Sequence, residues 1–282
     1  MTQWNLIVDV ANCTNCSVCT LASQDEHVGN QFPGYADEMP LHGHHWIEIQ
    51  RRERGSVPIV DVAYVPTMCQ HCDDAPCIAA AEGGAVNKRP DGIVIIDPDK
   101  AKGQQKIVDA CPYGAVWWNQ EKQLPQHWIF DAHLLDAGWK EPRCQNVCAT
   151  NVFRSMKVDD AEMKRIVEQE GLEELRPDLA TKPRVYYKNL WRYTKCFIAG
   201  SVASETGGIV DCVEGAKVTL SRNGETLGEA ESDGFGEFKI DRLDPDSGSY
   251  NVEIAMSGYA SRTIPVELGQ STYIGEVMMQ QG

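Results

Sequence analysis

Three cysteines at C-x2-C-x2-C spacing, Cys13, Cys16 and Cys19, open this chain, and they constrain it more than any other feature. Thiols at that spacing, completed as C-x2-C-x2-C-x3-C, wrap backbone around an iron–sulfur cluster, and the fourth cysteine ligates the other cluster of a pair. Here the fourth position is Ser23. A second run follows at C-x2-C-x4-C, Cys69, Cys72 and Cys77, with Ala81 where a fourth thiol would stand. Downstream lie Cys111, followed by Pro112, and Cys144-x3-Cys148.

The exchange of fourth ligands explains the gaps. Pairing the first motif with the last gives one centre from Cys13, Cys16, Cys19 and Cys148. Its counterpart would need Ser23, Cys144 and two further cysteines upstream, where His127–Asp131 has none. Pairing the middle motifs gives a second centre from Cys69, Cys72, Cys77 and Cys111. Its counterpart would need position 81 and a run before Cys111, where residues 101–107 have no cysteine. Random loss would leave partial sets scattered; instead two sets are whole and two have collapsed. The chain is expected to hold two 4Fe-4S clusters, with Cys144, Cys196 and Cys212 left over, most simply as small apolar residues.

Zinc competes for C-x2-C pairs, normally in closed four-ligand sites, but a three-cysteine run with a distant Cys-Pro favours iron–sulfur. A disulfide framework does not suit eleven cysteines, an odd number, in 282 residues with no export signal visible. The net charge of −15 argues against nucleic-acid binding through phosphates. No apolar stretch approaches membrane-spanning length. A cytoplasmic, reducing location suits thiolate-held clusters.

The chain reads as α+β, with a ferredoxin-like iron–sulfur domain over residues 1–192 and an all-β immunoglobulin/transthyretin-like sandwich over 195–282. In the first part Trp4–Asp9 and Gly92–Ile96 read as strands. Asp159 or Asp160 caps a helix through AEMKRIVEQE that ends at Gly171. In the second part Asn223-Gly224 is a hairpin turn signal, and Tyr250, Val252, Ile254 and Met256 alternate with smaller or polar residues as in a half-buried strand. About seven short strands are expected there. No catalytic set stands out in it, so interaction or shielding of a partner surface is its expected role.

Beyond the cysteines, the segments Arg51–Gly55 (RRERG), Asp91–Val94 with Ile96–Pro98, Cys111–Gly114 (CPYG), Thr181–Leu190 (TKPRVYYKNL) and Glu214–Val218 (EGAKV) are distinctive. Together with a sandwich fused behind the cluster domain, they make the chain similar, over essentially its whole length, to the iron–sulfur small subunits of pyrogallol–phloroglucinol transhydroxylases and related polyphenol hydroxylases of the DMSO reductase family. The resemblance implies a large catalytic partner carrying molybdenum on two pterin dinucleotides, in a heterodimer or a multiple of it. It implies a polyhydroxylated benzene as substrate, hydroxylated or transhydroxylated without dioxygen, with no catalytic residue on this chain. It also implies a third cluster, held by position 23, a C-x2-C pair near 128–131, and Cys144. This chain has Ser23, Trp128 and Asp131 at those places, so that cluster is expected to be absent.

Two other functions remain open from sequence: electron transfer for a relative acting on an inorganic oxyanion or sulfoxide, and a zinc-stabilised, non-redox binding protein. Among the remaining residues, His42, His44 and His45 beside Trp46 read as packing rather than a metal site. His71, inside the second motif, is either a hydrogen-bond donor to cluster sulfur or an exposed loop residue. Trp117 and Trp118 read as core aromatics. Arg51, Arg52 and Arg54 either dock an acidic partner surface, offset cluster charge, or form a solvated charge run.

Overall fold

The computed structural model describes all 282 residues. Two compact units emerge: Met1–Arg51 with Tyr64–Leu190, and Arg52–Ala63 with Trp191–Gly282. The change of texture at residues 192–195 falls close to the Leu190–Trp191 division. Periodicity gave no sign that the segment Arg52–Ala63 groups with the second unit.

The first unit contains β1 (Gln3–Asp9), α1 (Val18–His27), the first half of β2 (Ile47–Ser56) and the second half of β3 (Ile59–Met68). It continues with α2 (Pro76–Ala80), β4 (Val86–Lys88), β5 (Val94–Ile96), α3 (Lys106–Asp109), β6 (Trp117–Asn119), β7 (Leu124–Gln126), α4 (Ala132–Asp136) and α5 (Arg143–Asn146). β8 (Phe153–Val158), α6 (Asp160–Glu170) and β9 (Val185–Lys188) close it. Strands outnumber helices, and apart from α1 and α6 the helices are single turns inside cysteine-bearing loops.

β1 is the centre of a three-stranded sheet, antiparallel to β8 and parallel to β9. Its LIV run has both faces covered: Leu6 and Val8 are fully buried and Ile7 packs against Met163 and Leu172 below α6. α6 begins where the Asp159 carboxylate accepts the Glu162 N–H at 2.9 Å, and it stops at Gly171, whose φ of +61° is left-handed. A second small core, Ala85, Val86, Val94, Ile96, Ala101, Ile107 and Val116, packs Cys77 and Cys111 against its edge.

The second unit holds α7 (Trp191–Thr194) and eight strands: β10 (Cys196–Thr206), β11 (Ile209–Cys212), β12 (Lys217–Arg222), β13 (Glu225–Glu231), β14 (Glu237–Leu243), β15 (Gly248–Ala255), β16 (Arg262–Leu268) and β17 (Thr272–Met279). That is one more than periodicity suggests, and β11, exposed along its whole length, has no alternation to betray it. One four-stranded sheet centres on β10, which pairs with β11 and β14 antiparallel and with β17 parallel. The other runs β13-β12-β15-β16. Their inner residues, among them Ile198, Val202, Val218, Leu220, Phe238, Val252 and Ile254, form one core. The β12–β13 turn has Asn223 at φ +51° and Gly224 at φ +83°, as a two-residue hairpin loop requires.

Candidate metal centres

The register of the β1 sheet assembles the first thiol set. Val8 pairs with Phe153 and the Asp9 N–H donates to the Val152 carbonyl at 2.8 Å, so the loops after β1 and before β8 leave the same end of the sheet. Cys13 and Cys16 lie in the first loop and Cys148 in the second. Ser17, left-handed at φ +59°, turns the chain into α1, whose first turn carries Cys19. Burial pushes the Cys13 thiol up in pKa, and the nearby Cys16 and Cys148 add to the effect. Burial likewise pushes Cys19 up to about 11, with Cys13 and Cys16 adding to it. Main-chain N–H groups of Asn15 and Thr20 point at these sulfurs and oppose that rise. The Val152 N–H donates to Cys148 Sγ at 3.3 Å. Cys16 is exposed, so this set reaches the surface.

The second set is deeper. Cys69 and Cys72 follow β3 and are buried, Cys77 is in the first turn of α2, and Cys111 follows α3. Burial is the main force raising the Cys69 thiol, reinforced by Cys77, Cys111 and Cys72. Burial and then Cys111 and Cys72 push Cys77 up to about 12. Four thiols this close cannot all ionise unaided: each thiolate would be desolvated and would face the others' charge. A positively charged core bound to all four removes the conflict, because metal coordination makes the thiolate the favoured form. None of the eleven cysteines is in a disulfide. The donor chemistry and the loop N–H groups aimed at sulfur therefore fit thiolate-ligated clusters.

His71 turns inward. It is 1% exposed, and its Nδ1 accepts the Val94 N–H at 3.1 Å. That nitrogen carries no proton, so it makes no donor to Cys69 Sγ, 3.9 Å away; the His71 main-chain N–H supplies the bond to Cys69 instead. Burial holds the imidazole neutral, with its pKa well below the usual range. His127 Nε2 donates to the Val94 carbonyl at 3.0 Å, and burial lowers its pKa to about 4. Cys69, His71 and His127 offer ligand atoms within 4.8 Å of one another, but the two imidazoles are held by the β5 backbone.

The positions that the resemblance gives to a third cluster are all buried and packed. Trp128 is fully buried and stacks on Phe130, with ring centroids 4.9 Å apart. Asp131 Oδ2 accepts the Arg143 N–H at 2.7 Å at the start of α5, while Oδ1 lies 3.8 Å from His27 Nε2. Ser23 and Cys144 are 3% and 1% exposed.

Other expectations divide. Cys144 and Cys196 are buried as expected of small apolar residues, but Cys212 is exposed on β11, a strand with no inner face. His44 packs as expected, buried with its Nε2 donating to the Trp118 carbonyl at 3.0 Å, whereas His42 and His45 are exposed. Arg54 is neither docking patch nor solvated: its side chain is 1% exposed and pairs with Asp61 and Asp241 inside the second unit. Lys88 and Thr181, which border Cys72, had no distinguishing spacing in the sequence.

Comparison with known proteins places the chain among iron–sulfur subunits. The 4Fe-4S dicluster domain family matches residues 60–158, and the carboxypeptidase regulatory-like domain family matches residues 198–280. The chain is 46% identical over 261 residues to the pyrogallol hydroxytransferase small subunit of Pelobacter acidigallici, covering 92% of each chain. It is 29% identical to a subunit of the sulfite dehydrogenase of Allochromatium vinosum, over 66% of this chain and 83% of that one. It is also 29% identical to a subunit of the tetrathionate reductase of Salmonella typhimurium, over 67% and 73%. These two shorter alignments cover about two thirds of this chain, whereas the Pelobacter relative matches nearly all of it.

Proposed function

This chain belongs to the family of the pyrogallol hydroxytransferase small subunit, and on that premise we propose that it carries electrons for a molybdenum enzyme acting on polyhydroxylated benzenes. It is an iron–sulfur electron-transfer subunit of a molybdoenzyme. In this reading Cys13, Cys16, Cys19 and Cys148 hold one 4Fe-4S cluster, and Cys69, Cys72, Cys77 and Cys111 hold the second. The observation that carries the assignment is the convergence of the loops: the register of β1 against β8 brings the Cys13–Cys19 loop and the Cys148 loop to one end of the sheet, and Cys77 and Cys111 pack against one small core. In this reading a third cluster is missing, because Trp128 and Asp131 supply no thiolate.

Bound at these thiols, each cluster supplies a site for one electron at a time, with a potential set by charge, burial and hydrogen bonds to sulfur. The chain's own residues fix the loops, shield the second set from water and expose the first at Cys16. The large partner subunit carries the molybdenum on two pterin dinucleotides and the residues that handle substrate. We place the assembly in a reducing cytoplasm, which suits thiolate-held clusters; no helix is long and apolar enough to cross a membrane. Short hairpins around the cysteine loops support a ferredoxin-like first unit, and two facing four-stranded sheets support an immunoglobulin/transthyretin-like second one.

The test replaces one ligand at a time. Cys148→Ser should remove or alter one paramagnetic signal of the dithionite-reduced protein and Cys111→Ser the other. If both variants change the same signal, the two-set assignment fails. Co-purification of a molybdenum-containing large subunit that oxidises or transhydroxylates pyrogallol checks the substrate class; activity confined to tetrathionate or sulfite would overturn it.

A further inference from the structure

The geometry points to a metal site of a different kind in the first unit: one zinc ion held by His27 Nε2, Asp131 Oδ1 and Cys144 Sγ, with the Ser23 hydroxyl as a fourth donor. The inference goes beyond the two-cluster reading and uses none of its eight thiols. The donors come from three segments. Ser23 and His27 are one turn apart on α1, so they share a face, and both are buried. α5 packs against α1, and Cys144 is its one buried residue. Asp131 joins them because its Oδ2 accepts the Arg143 N–H at 2.7 Å, one residue before Cys144. Phe130 and Asp131 are both left-handed, at φ +57° and +49°. Consecutive non-glycine residues hold that conformation only where the surrounding contacts impose it.

Buried polar groups are normally bonded. Here Ser23 Oγ, both ring nitrogens of His27 and Asp131 Oδ1 have no hydrogen-bond partner. His27 Nε2 and Asp131 Oδ1 lie 3.8 Å apart, too far for a hydrogen bond. The cations nearby are engaged elsewhere. The Arg143 guanidinium pairs with Glu26 and with Asp25 at 2.7 Å, and His133 Nε2 pairs with Glu26 at 2.8 Å. The Asp131 carboxylate, 1% exposed, is left with His27 as its one ion-pair partner. Buried charges are paired or coordinate metals. Protonating His27 would supply charge, yet it would leave the 3.8 Å separation and an unbonded N–H on the other ring nitrogen.

A single divalent ion satisfies both demands. Imidazole, carboxylate and thiolate are the ordinary zinc ligands. Binding sends the Cys144 thiol proton to solvent, so one carboxylate and one thiolate together cancel the two positive charges of the ion. The buried site is then neutral. Two ligands on a tetrahedral zinc stand about 3.3 Å apart, so His27 and Asp131 close on it by about half an ångström between them. A 4Fe-4S cluster takes four thiolates, whereas one thiol among three other donor types suits one ion.

The experiment adds zinc sulfate alone to the full-length, cluster-loaded protein purified anaerobically, removes the excess, and measures zinc and iron per chain together with the zinc K-edge absorption spectrum. About one zinc should bind beside an unchanged iron content, with one sulfur at about 2.3 Å and the other ligands nitrogen or oxygen. His27→Ala and Asp131→Asn should each weaken zinc binding about tenfold or more against a competing chelator, with iron retained. Cys144→Ser should remove the sulfur from the zinc spectrum. The wild-type spectrum needs no variant, so a variant that fails to fold leaves the test intact. Wild type that keeps its iron and takes up no zinc overturns the inference, as does zinc uptake unchanged in both His27→Ala and Asp131→Asn. Zinc surrounded by four sulfurs also overturns it, because the ion then stands in a cluster's place. One zinc with one sulfur in protein that never holds iron upholds this site and overturns the two-cluster reading instead.

Discussion

Arg54 gives the sharpest stability prediction. In the second unit its guanidinium is 1% exposed, donates to both oxygens of Asp241 at 2.8 and 3.1 Å, to Asp61 at 2.5 Å and to the Lys195 carbonyl at 3.1 Å, and lies over the rings of Trp191 and Phe197. Arg54→Met keeps much of the apolar stem but strips a cation from two carboxylates. Arg192, 3.1 Å from Asp61, and Lys239, 3.7 Å or more from either acid, compensate only in part, since Lys239 is 39% exposed. Removing one partner of a buried ion pair costs about 3–5 kcal/mol. With a urea slope of about 1–3 kcal/mol per molar, the unfolding midpoint should fall by roughly 2 M, measured on the anaerobic full-length protein by far-ultraviolet circular dichroism. Acid should narrow the gap. Burial alone would raise the Asp61 carboxyl, but hydrogen bonds and charge from Arg54, then Arg192, hold it below its usual range. A depressed carboxylate stabilises the fold above its unfolded pKa, about 3.9, and loses that contribution as pH falls through the lower folded value. Wild type therefore loses stability below about pH 4, while in the variant protonation relieves unpaired carboxylates. A variant within about 1 kcal/mol of wild type at neutral pH, with a gap that does not depend on pH, would refute this account.

Three further outcomes follow from the same structure. Gly236→Ala forces a side chain into φ +73°, with its Cβ 2.3 Å from the Val202 carbonyl oxygen; a loss of about 2 kcal/mol or more is expected in urea unfolding. Asp159→Ala removes the cap of α6 and should cost about 1 kcal/mol, visible as faster amide exchange in that helix. Trp128→Ala empties a fully buried site stacked on Phe130; it should cost about 3–5 kcal/mol in thermal or chemical unfolding, with iron content unchanged, since Trp128 is not a ligand.

Local chemistry was legible in the sequence wherever a few neighbouring residues decide the backbone. The cysteine runs, the Asn223-Gly224 turn, the Asp159 and Gly171 ends of α6 and the alternation from Tyr250 to Ile254 are such cases. Contacts between distant segments were not legible. Arg54 sits in a run of charges that reads as solvated, and only the approach of Asp241 on β14 buries it. His71 offered a choice between sulfur donor and exposed loop; it is buried, and β5 claims its Nδ1, leaving Nε2 without a protein partner. Lys88 carries no motif; β4 brings its ammonium to the Cys72 carbonyl. The undercounted strand, β11, lacked a buried face, which is the only signal periodicity can read.

The account stands or falls on how many clusters the eight grouped thiols hold. Iron and acid-labile sulfide per chain, measured on protein purified anaerobically with whatever subunit accompanies it and corrected for that subunit's own iron, measure this directly. The structure predicts about eight of each, two 4Fe-4S clusters. About twelve would mean that Ser23, Asp131 and Cys144 still support a third cluster despite the buried Trp128, and zinc without iron would remove electron transfer from the account.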